Sequence, residues 1–222
     1  MAGRVASDAQ PGCGHFKAGC LSFTGLIRFS GIEGKKNMKL IILDRDGVIN
    51  HDSDAFIKSP AEWIPIKGSL EAIARLNQAG YRVVVATNQS GVGRGLFDMM
   101  TLNAIHQKMH NAAQQVGADI DAVFFCPHAA DDNCDCRKPK EGMFNEIAKR
   151  FGVSLRGGVI TVGDSLRDLQ AGFKAGCAPY LVLTGKGEKT REKGGLPPGT
   201  LVYPDLASVV DFILKAPVEV SV

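Results

Sequence analysis

Apolar runs of four or five residues alternate with amphipathic segments from Lys39 onward. Continuous apolar runs rich in β-branched residues are typical of buried strands, and they lie at residues 39–43, 82–86, 122–125, 159–162 and 180–183. Apolar residues three or four apart are typical of helices, and such segments lie at residues 69–78, 98–116, 142–151, 166–175 and 206–215. This alternation predicts an α/β fold, a three-layer sandwich with a parallel sheet between two helical layers.

The first 38 residues lack this pattern. They are rich in Gly, Ser and Ala and show no sustained period, so residues 1–38 are predicted to be an N-terminal extension without a catalytic role. Residues 39–215 are predicted to form one folded domain, and residues 216–222 a C-terminal tail. Met38 directly precedes the first strand, which leaves open a start of translation at either Met1 or Met38.

The overall charge is small. The chain has 26 Lys and Arg residues against 23 Asp and Glu, and residues 1–38 carry the whole excess of three. So small a charge argues against a nucleic-acid partner, and no apolar stretch is long enough to cross a bilayer. Three of the six cysteines are clustered and three are scattered, which does not suggest a secreted disulfide framework and favours the cytoplasm.

Polar residues follow the predicted strands, at the sheet edge where α/β proteins bind ligands. Asp44 and Asp46 follow the first strand, and in an extended segment they share one side while Arg45 faces the other. Two neighbouring carboxylates repel each other unless a cation or a shared proton lies between them, and Mg²⁺ with its preference for oxygen ligands fits. An Asp-rich turn without a metal is the alternative interpretation of this motif alone.

The other strand ends add groups suited to an anion. The second strand leads into TNQSGVGRG, residues 87–95, where a hydroxyl, amides, glycines and the Arg94 guanidinium offer hydrogen-bond donors. Arg137 and Lys138 precede the next helix, and Asp164 follows the fourth strand with Asp168 one helical turn later. The dinucleotide and Walker A glycine patterns are both absent, which disfavours a nucleotide-binding kinase or oxidoreductase.

A second metal site is predicted between the third strand and its following helix. Cys126, His128, Cys134 and Cys136 lie within eleven residues. Three thiols and one imidazole suit tetrahedral Zn²⁺, and a site whose four ligands all come from protein is structural. A polar loop with unpaired cysteines is the alternative. Residues 126–136 are therefore predicted to be a zinc-stabilised loop that presents Arg137 and Lys138.

Taken in chain order, these motifs resemble the haloacid dehalogenase (HAD) superfamily of phosphohydrolases across residues 39–215. The resemblance implies a Rossmann-like sheet and an aspartyl-phosphate intermediate. It implies Asp44 as nucleophile, Asp46 as general acid and base, and Thr87 and Lys138 on the transferring phosphoryl group. It also implies Mg²⁺ bound by Asp44, by the backbone carbonyl of Asp46 and by Asp164.

Four segments, LDRDGVIN, TNQSGVGRG, CPH…CDCRKP and VGDSLRDLQAG, more closely resemble the D-glycero-D-manno-heptose 1,7-bisphosphate 7-phosphatase family. That resemblance implies removal of the C7 phosphate in nucleotide-activated heptose synthesis, with no large cap domain. The implied substrate-binding residues are Asp52, Ser53, Asp54, Ala55, Asn88, Gln89, Ser90, Arg94 and Arg137.

Two alternatives remain at this point. Histidinol-phosphate phosphatases of the same superfamily share the acid motifs and a similar zinc loop, and SGVGRG at residues 90–95 favours the heptose family over them. A zinc-stabilised interaction module without catalysis would require a missing catalytic residue, and none is missing. The predicted partner is a small sugar phosphate, with no nucleic acid and no membrane, and the enzyme is expected to be a monomer.

Overall fold

The computed structural model describes residues 38–215. The predicted N-terminal extension, apart from Met38, and the predicted tail at residues 216–222 lie outside the described residues. The strands are β1 (Lys39–Leu43), β2 (Tyr81–Asn88), β3 (Ala122–Cys126), β4 (Ile160–Gly163), β5 (Ala178–Val182) and β6 (Leu201–Tyr203). The helices are α1 (Ser69–Gln78), α2 (Ser90–Gly93), α3 (Met99–Gln115), α4 (Gly142–Phe151), α5 (Leu166–Ala175), α6 (Gly187–Lys193) and α7 (Leu206–Lys215). Two 3-10 turns cover Pro60–Glu62 and Ala130–Asp132.

The six strands form one parallel sheet in the order β3-β2-β1-β4-β5-β6. The chain first builds outward from β1 through β2 to β3, then returns to the other side of β1 with β4. The winding direction therefore reverses between β1 and β4, and α/β sheets of this order bind ligands in the crevice at that point. This confirms the predicted Rossmann-like architecture.

Side chains alternate along each strand between two separate cores. Ile41 and Leu43 of β1 point into a core that includes residues of α1, α3 and α7. Leu40 and Ile42 point into the opposite core, which includes residues of α4 and α5. Because the sheet buries apolar side chains on both faces, its strands read as continuous apolar runs in the sequence. The predicted three layers are confirmed.

The helix bounds agree closely with the predictions, since caps mark several of them. Asp98 accepts a hydrogen bond from the Thr101 N–H at 2.8 Å and begins α3, and Gly152 ends α4 with a positive φ of 63°. Strand β2 extends beyond the predicted residue 86, because Thr87 and Asn88 pair with β3. Helices α2 and α6 and strand β6 were not predicted, because they are short and lack apolar periodicity.

The segment between β1 and α1 contains only a short 3-10 turn, and no cap domain is evident there. The carboxyl edge of the sheet is therefore left open to solvent above β1 and β4. Within residues 38–215, no helix has both the length and the apolar character that a membrane crossing requires.

Candidate active site

A polar cavity of about 260 Å³ lies at the carboxyl edge of the sheet, above β1 and β4. Such a volume is large enough for a phosphate group and part of the molecule that carries it. Nearly all of the predicted site residues line it, namely Asp44, Asp46, Asp52, Ser53, Asp54, Thr87, Asn88, Gln89, Ser90, Arg94, Arg137, Lys138 and Asp164. Ala55 differs from the prediction, because it lies in an adjoining shallow depression. Ala55 is exposed, as is Asp54, whereas Phe56 is half-buried and Ile57 is buried.

Asp44 is held on one oxygen only. Its Oδ1 accepts a hydrogen bond from the Arg45 backbone N–H at 2.8 Å and forms an ion pair with the Lys138 ammonium at 2.9 Å. Within the described part of the chain, no donor reaches its Oδ2. The carboxylate is therefore oriented through Oδ1, while Oδ2 stays available for a ligand in the cavity.

Lys138 is buried, with 2% of its side chain exposed, and its ammonium has three acceptors. Besides Asp44, it bonds Asp168 at 2.6 Å and the Ala86 carbonyl oxygen at 2.7 Å. An ammonium has three donors, so this set satisfies all of them. Asn88 fixes the backbone of Lys138 by exchanging two hydrogen bonds with it, at 3.0 and 3.1 Å, which aims the lysine into the sheet edge.

The carboxylates outnumber the buried cations at this point. Oxygens of Asp44, Asp164 and Asp168 lie within 4.8 Å of one another, and one lysine pairs with two of them. Burial, followed by repulsion from Asp168 and Asp44, raises the pKa of Asp164 to about 8. Burial and the charge of Asp168 likewise raise the pKa of Asp44 to about 7. A divalent cation would relieve this repulsion, so these residues fit Mg²⁺.

Gly47 allows this close approach. It adopts a positive φ of 81°, and a Cβ built on it would overlap the Asp164 carboxylate. A side chain at this position would therefore push Asp164 away from Asp44. The Lys186 backbone N–H also donates to Asp164 Oδ2, at 2.7 Å, and helps to position this carboxylate.

Asp46 is surrounded by donors. Arg45 contributes its Nε and Nη2 at 2.9 to 3.0 Å, and the amides of Asn50 and Gln89 add bonds at 2.9 and 3.0 Å. Burial opposes ionisation, yet the Arg45 charge and these bonds together lower the pKa of Asp46. The prediction that Arg45 faces away from the two carboxylates is wrong for its guanidinium, because the chain turns after Asp44 and the side chain folds back to Asp46.

Two polar residues at the cavity rim, Lys186 and Arg167, were not among the residues that the sequence pointed to. Lys186 bonds Asp52 at 2.5 Å and Asp54 at 3.5 Å, and so ties the loop after β5 to the loop after β1. Arg167, in the first turn of α5, is exposed and lines the cavity, as does buried Asp168. Lys186 follows a predicted strand, and that position is the sequence signal that could have identified it as a site residue.

The predicted zinc ligands converge. Cys126 Sγ lies 3.5 Å from Cys134 Sγ and 3.5 Å from His128 Nδ1. Cys136 Sγ lies 3.6 Å from Cys134 Sγ and 3.3 Å from His128 Nδ1. Tetrahedral Zn²⁺ with Zn–S distances of about 2.3 Å separates its sulfur ligands by roughly 3.7 Å, so the four residues fit a closed structural zinc site. Arg137 directly follows the last ligand and donates to the His128 carbonyl at 3.2 Å.

Curated relatives identify the family. A D-glycero-β-D-manno-heptose-1,7-bisphosphate 7-phosphatase of Bordetella bronchiseptica is 64% identical over 178 residues, which cover 80% of this chain and 99% of the relative. The chain belongs to this heptose bisphosphate phosphatase family. A member from Pseudomonas putida is 52% identical over 172 residues, covering 78% of this chain and 97% of the relative. The specific resemblance predicted from the four motif segments is thereby confirmed.

Solved structures agree with this membership, and two family models also match parts of the chain. The heptose bisphosphate phosphatase of B. bronchiseptica, solved with magnesium and phosphate, has a TM-score of 0.79 at 64% identity, covering 80% of this chain and 99% of that chain. The Burkholderia thailandensis member has a TM-score of 0.65 at 54% identity with the same coverage. A HAD-hydrolase-like family model matches residues 135–209. A model described as polynucleotide kinase 3 phosphatase matches residues 39–167.

Proposed function

We propose that this heptose bisphosphate phosphatase family member removes the C7 phosphate of D-glycero-β-D-manno-heptose 1,7-bisphosphate and releases heptose 1-phosphate. The observation that carries the proposal is the Asp44 carboxylate, which is oriented through Oδ1 and open at Oδ2 inside a polar cavity. The substrate class rests on the 64% identical relative of that name, and the β anomer is expected for the same reason.

In the proposed reaction, Asp44 Oδ2 attacks the C7 phosphorus and the bond from phosphorus to the sugar oxygen breaks. Asp46 gives its proton to the departing oxygen, and then takes a proton from the water that attacks the aspartyl phosphate. That second step releases inorganic phosphate and restores Asp44. Asp44 acts as the nucleophile and Asp46 as acid and base, and the two carboxylates have different hydrogen-bond partners.

Positive charge beside Asp44 lowers the barrier, because phosphoryl transfer spreads negative charge over the equatorial oxygens. Lys138 contributes electrostatically from its buried position, and Thr87 offers its hydroxyl from the end of β2. Asp44, Asp164 and the backbone carbonyl of Asp46 would hold Mg²⁺, which when bound neutralises phosphate charge. Arg137 and Arg94 are proposed to orient the remainder of the substrate from the rim.

The zinc loop is proposed to have a structural role. Cys126, His128, Cys134 and Cys136 would bind Zn²⁺ with no position left for a substrate. The loop spans the end of β3 and the segment that presents Arg137 and Lys138, so its closure would keep both cations at the cavity.

Phosphate release from the purified full chain with Mg²⁺ tests the substrate. Both anomers of the heptose bisphosphate are compared with histidinol phosphate and with a 3′-phosphorylated oligonucleotide, and the product is examined by ³¹P NMR. We expect the β anomer to have the highest kcat/KM, with the 1-phosphate intact. Preference for histidinol phosphate or the oligonucleotide would overturn the substrate assignment and keep the phosphatase chemistry.

The Asp44→Asn variant tests the nucleophile. Loss of an essential nucleophile is expected to lower kcat by about 10³-fold or more, while near wild-type turnover would refute the role. A monomeric state and a cytoplasmic location remain predictions, and size-exclusion chromatography with light scattering tests the first.

A further inference from the structure

A buried contact links the proposed acid to a histidine on a neighbouring helix. Arg45 is fully buried, and its guanidinium lies between Asp46 and His106 of α3. Two of its nitrogens bond the Asp46 carboxylate at 2.9 to 3.0 Å. The third, Nη1, lies 3.3 Å from His106 Nε2. Neither residue takes part in the reaction proposed above.

We propose that His106 and Arg45 are positioning residues that set the orientation of Asp46 for proton transfer to the leaving oxygen. This inference rests on the proposed function, in which Asp46 acts as the general acid. Neither residue lines the cavity, so both would act through Asp46 rather than through contact with the substrate.

The direction of the histidine contact follows from the donors. A guanidinium has five N–H donors and no acceptor, so His106 Nε2 must be the acceptor and the ring must be neutral with its proton on Nδ1. Burial, and then the nearby charge of Arg45, lowers the pKa of His106 to about 3, which agrees with a neutral ring. His106 also packs against Phe125, with ring centroids 5.9 Å apart, so its position is fixed by α3 and β3 together.

The two oxygens of Asp46 have different hydrogen-bond donors. Oδ1 accepts from Arg45 Nε, Arg45 Nη2 and Asn50, which fills its lone pairs. Oδ2 accepts from Arg45 Nη2 and from Gln89, whose amide also bonds the Thr87 hydroxyl. Gln89 and Thr87 both line the cavity, so Oδ2 is bonded toward the cavity while Oδ1 is bonded toward Arg45 and Asn50. Without His106, Arg45 Nη1 loses the acceptor that helps to hold the guanidinium in its position beside Asp46.

A leaving-group comparison separates positioning from a merely structural role. A sugar alkoxide needs a proton as it departs, whereas a nitrophenolate departs without one. The value of kcat/KM covers the steps through departure of the leaving group. Misplacing Asp46 should therefore lower kcat/KM for the sugar phosphate more than for 4-nitrophenyl phosphate. The ratio of the two values, measured on one preparation, is independent of the fraction of folded enzyme.

The variants are His106→Leu, which removes the acceptor, and His106→Gln, which keeps one. We expect His106→Leu to lower the ratio of sugar-phosphate to aryl-phosphate kcat/KM by about tenfold, a part of what a general acid contributes. His106→Gln should restore most of it. His110→Leu is the matched control, because His110 lies one turn further along α3, and it should leave the ratio unchanged. Arg45→Lys keeps the positive charge but loses the two-nitrogen contact with Asp46, so it should lower the same ratio. It replaces His106→Leu in the test if that variant fails to fold.

The outcomes distinguish this inference from the proposed function. An equal fall for both substrates in His106→Leu and Arg45→Lys, or no rescue by His106→Gln, would overturn the positioning role and leave the phosphatase assignment standing. An unchanged ratio in Asp46→Asn would instead refute Asp46 as the acid, and the positioning role with it. If the heptose bisphosphate is not turned over, any other alkyl phosphate that is hydrolysed serves in the comparison.

Discussion

Lys138→Met is expected to be strongly destabilising as well as inactivating. The ammonium lies 2.6 Å from Asp168 and 2.9 Å from Asp44, and 2% of the lysine side chain is exposed. The methionine has a similar length and leaves both carboxylates buried without their cation. Removing one partner of a buried ion pair costs about 3–5 kcal/mol. Asp168 keeps two bonds from Ser165, which limits the loss to that range.

Urea unfolding at pH 8 without added Mg²⁺ measures this cost. Trp63 is the single tryptophan and is fully buried, so its fluorescence reports the unfolding of the core. Lys140→Met is the matched control, because Lys140 pairs with Asp135 at 3.3 Å on the surface, with 48% and 95% of the two side chains exposed. That exposed pair is expected to contribute about 0–1 kcal/mol.

The pH dependence provides the sharper check. In the wild type, burial tends to raise the pKa of Asp168, but the charge and hydrogen bond of Lys138 outweigh burial. The pKa of Asp168 therefore lies below its ordinary value. The pair therefore stabilises the folded protein above the unfolded pKa of about 3.9, and this stabilisation is lost as the pH falls through the folded pKa. In the variant, Asp44 and Asp168 are buried without Lys138, so their folded pKa values should lie above the unfolded value.

A carboxyl group whose pKa is higher in the folded than in the unfolded state lowers the free energy of unfolding at high pH. This loss disappears at low pH, where the group is protonated in both states. The difference in unfolding free energy between wild type and Lys138→Met should therefore be largest at pH 8 and shrink steadily toward pH 4. A difference below about 1 kcal/mol at pH 8, or one that stays constant with pH, would refute the assignment of Lys138 as the buried counter-ion of two ionised carboxylates.

Three further predictions follow from individual contacts. Gly47→Ala should lower the free energy of unfolding by more than the roughly 1–2 kcal/mol of a positive φ alone, because its Cβ would displace Asp164. It should also weaken activation by Mg²⁺; unfolding and magnesium titration check both. Cys134→Ser should reduce bound zinc below about one ion per chain and lower Tm, as metal analysis and calorimetry would measure. Lys186→Ala should raise KM with little change in kcat, since Lys186 holds Asp52 at the rim.

Two of these predictions have a matched control within the chain. Gly80→Ala introduces a side chain at a φ of 83° with nothing within 4 Å, so it separates backbone strain from displacement of Asp164. Lys189→Ala removes an exposed charge from α6 and should leave KM unchanged. Equal losses in Gly47→Ala and Gly80→Ala, or full zinc content in Cys134→Ser, would contradict the corresponding contact.

The layers of the fold and most of the cavity could be predicted from the order of residues along the chain. Strands buried on both faces read as apolar runs, and the residues directly after those runs, such as Asp44, Thr87 and Asp164, line the cavity. Parallel strands end at the same edge of a sheet, so position in the chain predicts position in space for such residues. Close spacing likewise predicted the four zinc ligands that the structure brings together.

Contacts between distant loops, and contacts made by long side chains, became visible only in the folded protein. Lys186 reaches Asp52 across 134 residues, and Arg45 folds back to Asp46 and reaches His106, 61 residues away. Such contacts depend on how separate loops meet above the sheet and on which rotamer a flexible side chain adopts. The local sequence pattern predicts neither the meeting of the loops nor the rotamer. Periodicity indicates which face of a strand or helix is buried, but not which residues pack against that face.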